Sequence, residues 1–169
     1  MKRMLLVIGA LAALSLSVVL TGAVAANQSA GRRATVAISG SELGRILVDG
    51  RGRTLYLFER DKHGKSACAG PCATAWPPLI AVGKPLASAG ARASLLGTTK
   101  REDGRRQVTY NHHPLYTFIK DTGKGQTNGE NLDAFGAEWY AVSSLGAKVE
   151  KKAAKHTAGG DPAPTGYGY

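Results

Sequence analysis

Cys68-Ala69-Gly70-Pro71-Cys72 places two thiols three residues apart, and His63, His112 and His113 supply imidazoles. Gathered by a fold, these side chains would suit copper or zinc, which take thiolate and imidazole ligands. Their spacings match no closed-site pattern, and adjacent histidines on a strand or turn point different ways. In an exported chain the same two cysteines read as a disulfide. The expectation is therefore a Cys68–Cys72 bridge and no cofactor, with copper or redox handling through the cysteines and histidines as the weak alternative. Closing so short a ring removes about 2 kcal/mol of loop entropy. The bridge would pin the loop between Asp61 and Trp76 rather than hold up the fold. Thioredoxin-like chemistry needs two residues between the cysteines, not three. Covalent haem attachment needs a His after the second cysteine, and Ala73 stands there.

Asp61 and Asp121 are the other residues with chemical promise. Glycoside hydrolysis uses two carboxylates roughly 5–10 Å apart, and nothing in the sequence requires that spacing. No Ser/His/Asp or Cys/His set with a supporting motif accompanies them. Each aspartate stands just past a strand end, where its side chain can accept backbone N–H groups in a turn. The reading is a structural role for both, no catalytic residues, and not an enzyme.

Both aspartates close one motif. Tyr56-Leu57-Phe58-Glu59-Arg60-Asp61 returns 60 residues later as Tyr116-Thr117-Phe118-Ile119-Lys120-Asp121. Leu55 and Leu115 precede the tyrosines, and Val48 and Val108 lie eight residues upstream of them. Each copy then runs through a polar, Gly-rich loop to Trp76 or Trp139. Such a return marks a tandem duplication of one small unit. Tyr56/Phe58 and Tyr116/Phe118 could stack on a sugar ring. Aromatics at i, i+2 also fill the inner face of a half-buried sheet, and a core shared with Trp76 and Trp139 is the expectation.

The elements around these residues read as strands. Ala34–Ser39, Gly44–Asp49 and Thr54–Glu59 make a three-stranded meander, with Tyr56 and Phe58 on one face and Leu55, Leu57 and Glu59 on the other. Ser94–Thr99, Arg106–Tyr110 and Leu115–Ile119 repeat the plan, and Glu138–Val142 closes the second copy. The matching segment of the first, Trp76-Pro77-Pro78-Leu79-Ile80, carries two prolines and reads as an edge or extended arm. Only Ala73–Trp76 and Ala87–Gly90 suggest helical turns. The fold class is all-β: two tandem antiparallel meanders packed into one small domain, repeat 1 over 34–90 and repeat 2 over 91–146.

Residues 1–25 read as an export signal: Lys2 and Arg3, an apolar run from Met4 to Leu20, and the small-x-small site Ala23-Val24-Ala25. That run is also about as long as the 17–25 residues a membrane anchor needs. A linker follows over 26–33. Residues 147–169 read as a disordered tail, Lys-rich and then Gly/Pro/Tyr-rich, with too little apolar surface to order itself. The net charge of +10 would normally suggest nucleic acid. An exported chain seldom meets it, so the partner class is an anionic envelope polymer or lipid surface. The sequence leaves the oligomeric state open.

Four features in order carry a resemblance: the Tyr-x-Phe-x-x-Asp motif in both copies, Gly52-Arg53-Thr54-Leu55-Tyr56, Cys68-x-x-x-Cys72 leading to Trp76-Pro77-Pro78, and Pro114-Leu115-Tyr116-x-Phe118. From about Ala34 to Gly146 the chain resembles the secreted-repeat family of predicted lipoproteins with a Yx(FWY)xxD motif. The resemblance implies a bacterial envelope or secreted protein with paired repeats, periplasmic, cell-surface or extracellular, in a family without an established biochemical role. Two departures stand out. There is no lipobox cysteine, so lipid anchoring does not carry over. The family's Asn-Gly-His turn reads Asn111-His112-His113, which removes a glycine able to take positive φ freely.

Overall fold

The computed structural model describes residues 33–150. The expected export signal, most of the linker and the tail beyond Glu150 lie outside them. The fold within is all-β. Its strands are β1 (Thr35–Ser41), β2 (Gly44–Asp49), β3 (Tyr56–Phe58), β4 (Leu86–Ala87), β5 (Leu96–Lys100), β6 (Arg106–Tyr110), β7 (His113–Pro114), β8 (Leu132–Ala134) and β9 (Ala137–Ala141). One short α-helix, α1 (Pro71–Ala75), lies on the cysteine loop, and Ala93–Leu95 form a 3-10 turn, so the strand expected over Ser94–Thr99 starts only at Leu96. Pro71 suits the first turn of α1, where a missing N–H leaves no bond unmade. Ala87–Gly90 forms no helical turn: Leu86 and Ala87 pair parallel with β1 instead.

Each repeat opens with an antiparallel hairpin. β1 pairs with β2 (Val36 opposite Asp49), and β5 with β6 (Leu96 opposite Tyr110). Beyond the hairpins the repeats exchange partners. β3, from repeat 1, pairs with β9, which closes repeat 2: Phe58 faces Trp139 and Tyr56 faces Ala141. In the mirror position, Pro78 from the closing arm of repeat 1 bridges Tyr116 of repeat 2. Pro77 and Pro78 cannot donate to a ladder, so this half of the exchange is a string of single bridges. The segment expected as a strand over Leu115–Ile119 is correspondingly reduced to the bridges at Tyr116.

The exchange is visible bond by bond. Leu47 N–H donates to Val142 O, and Val142 N–H to Leu55 O. Val108 N–H donates to Leu79 O, and Leu79 N–H to Leu115 O. These four bonds make Leu47, not Val48, the counterpart of Val108. The Val48/Val108 match is therefore one residue out of register. Leu55 lies eight residues after Leu47 and Leu115 seven after Val108, and a one-residue shift moves a strand's side chains to the other face. Val48 accordingly packs in the aromatic layer, while Leu47 and Val108 share an aliphatic layer.

Those two layers are the core. Tyr56, Phe58, Tyr116, Phe118, Trp76 and Trp139 fill one with Ile46 and Val48. Leu47, Leu55, Leu57, Val108, Leu115 and Val142 fill the other. Period-2 alternation along β3 feeds both, since Tyr56 and Phe58 point one way and Leu55 and Leu57 the other. Ala147–Glu150, expected to begin the disordered tail, continue the fold instead. Val149 N–H donates to Ala141 O, and Lys148 Nζ lies 2.9 Å from Glu59 Oε1.

The β6–β7 hairpin pairs Tyr110 with His113 across the two-residue loop Asn111-His112. Both loop residues have positive φ, 47° and 67°, as a type I′ turn requires. Asn tolerates this conformation and His does so poorly, since its Cβ approaches the following carbonyl at a cost of about 1–2 kcal/mol. Glycine removes that contact and loses more entropy on folding. His112→Gly is expected to raise stability by about 0.5–1 kcal/mol, read as a higher urea midpoint at unchanged m-value.

Candidate functional site

The two copies of the motif meet back to back. Tyr56 N–H donates to Tyr116 O at 2.8 Å, and Tyr116 N–H to Tyr56 O at 3.0 Å. Around this pair lies a four-ring column, Phe58–Trp139–Trp76–Phe118. Its successive centroids are 4.1, 3.9 and 4.2 Å apart, and the two indoles lie within 3° of parallel. Tyr56 meets Trp76 edge-on at 5.3 Å and Tyr116 meets Trp139 edge-on at 5.1 Å. Stacked and edge-on rings both suit the quadrupole of an aromatic.

Each phenol then reaches the aspartate of the other copy. Tyr56 donates to Asp121 Oδ2 at 2.6 Å, and Tyr116 donates to Asp61 Oδ2 at 2.8 Å. The remaining carboxylate oxygens hold the loops that follow. Asp61 Oδ1 accepts Ala67 N–H at 2.7 Å, and Asp121 Oδ1 accepts Asn128 N–H at 3.0 Å. The Tyr-x-Phe-x-x-Asp spacing thus does three things. Its Tyr crosses to the partner repeat, its Phe ends the ring column, and its Asp, three residues past the Phe, receives the other Tyr and ties its own loop.

The ends of this device differ. Asp121 is only 3 % exposed, and Tyr56 Oη also accepts Gly129 N–H at 3.3 Å. Gly129 is required there, because a Cβ would sit 2.7 Å from Trp76 Cη2. Asp61 is half-buried and borders two surface cavities. Burial pushes its carboxyl up to about 6, outweighing the Ala67 N–H, the Tyr116 hydroxyl and the Arg101 charge that favour ionisation. Both phenols are held above the ordinary range, first by burial and then by the neighbouring carboxylate.

The loop after Asp61 carries the Cys68–Cys72 disulfide. Arg101, buried, braces it: Nη2 donates to Cys68 O at 2.6 Å, and Nη1 to Ser66 Oγ at 2.8 Å and Gln107 Oε1 at 2.5 Å. Ser66 Oγ also bonds Tyr116 Oη at 2.8 Å. Arg101 therefore reads as one of the basic residues near a hairpin and is in fact an internal strut. A basic residue inside an alternating polar turn gives no signal that could have singled it out.

The histidines are gathered but not as a ligand set. His63, His112 and His113 line one cavity of about 390 Å³ with Asp61, Gly64 and Pro114. Among the described residues, no three His, Cys, Asp or Glu are placed to hold a metal ion. The cysteines are bridged and do not line this cavity. His113 is held below the ordinary imidazole range, by burial first and by His112 second.

A family model described as a secreted repeat of unknown function matches residues 38–80 and 97–143. The chain belongs to this family. The two matches fall on the two structural repeats, and each spans its copy from within the first strand to the closing segment. The description makes this secreted repeat an exported protein. No curated protein and no solved structure matches it.

The unequal ends give two expectations. Tyr56→Phe strands the Asp121 carboxylate in the core and is expected to cost about 2–3 kcal/mol. Tyr116→Phe leaves Asp61 closer to solvent and near Arg101, and is expected to cost about half as much; urea melts of both variants compare them. The second expectation concerns pH. The folded Asp61 carboxyl binds its proton more tightly than the unfolded one does. Its contribution to stability is full below about pH 4 and is lost as pH rises through about 6. The urea midpoint of the wild type should fall across that window, and Asp61→Asn should flatten the fall.

Proposed function

We propose that this secreted repeat is a non-enzymatic structural or binding module of the bacterial envelope, retained on anionic material by its basic surface. One observation carries the reading. The motif side chains that could do chemistry are engaged with one another inside the core, with Tyr56 and Tyr116 both fully buried. What faces solvent is a surface rich in cations. Among the described residues, Arg53, Arg101, Arg105 and Lys148 form the ion pairs. Arg45, Arg51, Lys62, Lys65 and Lys124 are exposed without one. A rigid body with such a surface attracts polyanions over about a Debye length, ~10 Å at 0.1 M salt.

Copper or redox handling is the second reading, favoured by the three histidines sharing a cavity with Asp61. Thiol titration with metal analysis of the exported protein separates the two. Free thiols with about one bound copper would favour it, and a closed bridge without metal would remove it.

For the first reading, the exported protein is expected to be retained on an immobilised anionic polymer at low ionic strength. It should elute as salt approaches roughly 0.5–1 M, where screening shortens to a few ångströms. Passage without retention at low salt would sink the proposal.

A further inference from the structure

Repeat 1 and repeat 2 treat the outer edge of their opening hairpins differently. β1 has β2 on one side and β4 on the other, whereas β5 has β6 alone. Beside β5 lies a groove of about 430 Å³. Pro85, Ala93, Leu96 and Gly97 give it an apolar lining, Lys84 and Arg106 flank it, and no carboxylate lines it. Arg106 Nε and Nη2 donate to Thr98 Oγ1 at 3.1 and 2.7 Å. That neutral acceptor orients the guanidinium along β5 without cancelling its charge. Among the described residues neither Lys84 nor Arg106 has a carboxylate within 4.0 Å. The segment carrying Lys84 is bracketed by two exposed apolar side chains, Val82 at 49 % and Leu86 at 38 %.

We propose that this groove is the protein's contact with an anionic phospholipid surface, taking the lipid phosphate on Lys84 and Arg106 and the adjoining methylenes on Ala93 and Leu96. The assignment rests on the anionic-surface reading above and narrows it from any polyanion to lipid. A polyphosphate or acidic glycan needs only cations. A groove that adds an apolar lining, on a segment ordered apolar–cation–apolar, fits a ligand with phosphate and hydrocarbon side by side, as at the headgroup–acyl boundary. Long basic side chains suit that boundary, since their stems lie on apolar surface while their heads reach phosphate.

The exported protein would be sedimented with vesicles of phosphatidylcholine alone, and with vesicles containing phosphatidylglycerol, at about 0.1 M salt. Binding is expected to the second and to exceed binding to the first. Lys84→Gln with Arg106→Gln should weaken it roughly twentyfold, about fivefold for each cation. The equally charged pair Arg51→Gln with Lys124→Gln, at the β2–β3 turn and the loop after Asp121, should weaken it only a fewfold. Ala93→Asp, which puts a carboxylate in the groove from an exposed position, should weaken it more than Thr122→Asp. Equal losses in both pairs would overturn the groove as the site and leave the anionic-surface reading standing. Retention on an anionic polymer with no preference for phosphatidylglycerol would overturn the lipid assignment alone. Absence of binding to polymer and vesicles would overturn both.

Discussion

The structure hangs on the reciprocal bond from each repeat's tyrosine to the other repeat's aspartate. In a low-dielectric core a phenol donating to a carboxylate is among the stronger neutral-to-charged hydrogen bonds, and leaving the carboxylate unmet is costly. The Tyr56–Tyr116 backbone bridge aligns the two copies so that both bonds form at once. The ring column depends on the same alignment, because Trp76 stacks on Phe118 of the other repeat and Trp139 on Phe58. Neither repeat is complete alone. One copy by itself would hold a buried aspartate without its donor and a tryptophan without its outer ring.

Within that shared frame the two ends have been closed by different means. Around Tyr56 the loop supplies the Gly129 N–H to the phenol and the Asn128 amide to Asp121, and Gly129 leaves room for the indole edge of Trp76. Around Tyr116 the loop supplies the Ser66 hydroxyl, and the disulfide with Arg101 holds that loop in place. The first closure is tight and dry. The second is polar and reaches the surface, which is why burial raises the Asp61 carboxyl only as far as the mildly acidic range.

Much of this was legible in the sequence, and the limits are physical. Alternation along Thr54–Glu59 marks which side chains go inward, and the repeated motif marks two equivalent units. The choice of partner was not legible. Pro77 and Pro78 disfavour one closing segment as a ladder partner, but only the three-dimensional exchange puts Trp139 of the other repeat beside Phe58. Register also escaped, because it turns on a one-residue difference between two connections, and Val48 and Val108 are both valines in strands. The Asn111-His112 turn lacks a glycine, and it keeps the left-handed conformation because the Tyr110–His113 pairing imposes it. Arg101 is chemically identical to the basic residues around it, and burial alone distinguishes it.

The proposed contact surface rests on the same asymmetry. At the centre of the duplicated fold the motif tyrosines and aspartates satisfy one another. If the protein is a binding module, its contact surface lies where the copies differ and where apolar surface is left uncovered. The disulfide loop is one such place, where Ser66 Oγ and Cys68 O turn to Arg101. The other is the edge of β5, which lacks the strand that β4 lays along β1. Open sheet edges invite unwanted pairing, and basic side chains along them prevent it. Under the proposed lipid contact, the same cations, set beside Ala93 and Leu96, would turn a protected edge into a surface that prefers phosphate and hydrocarbon together.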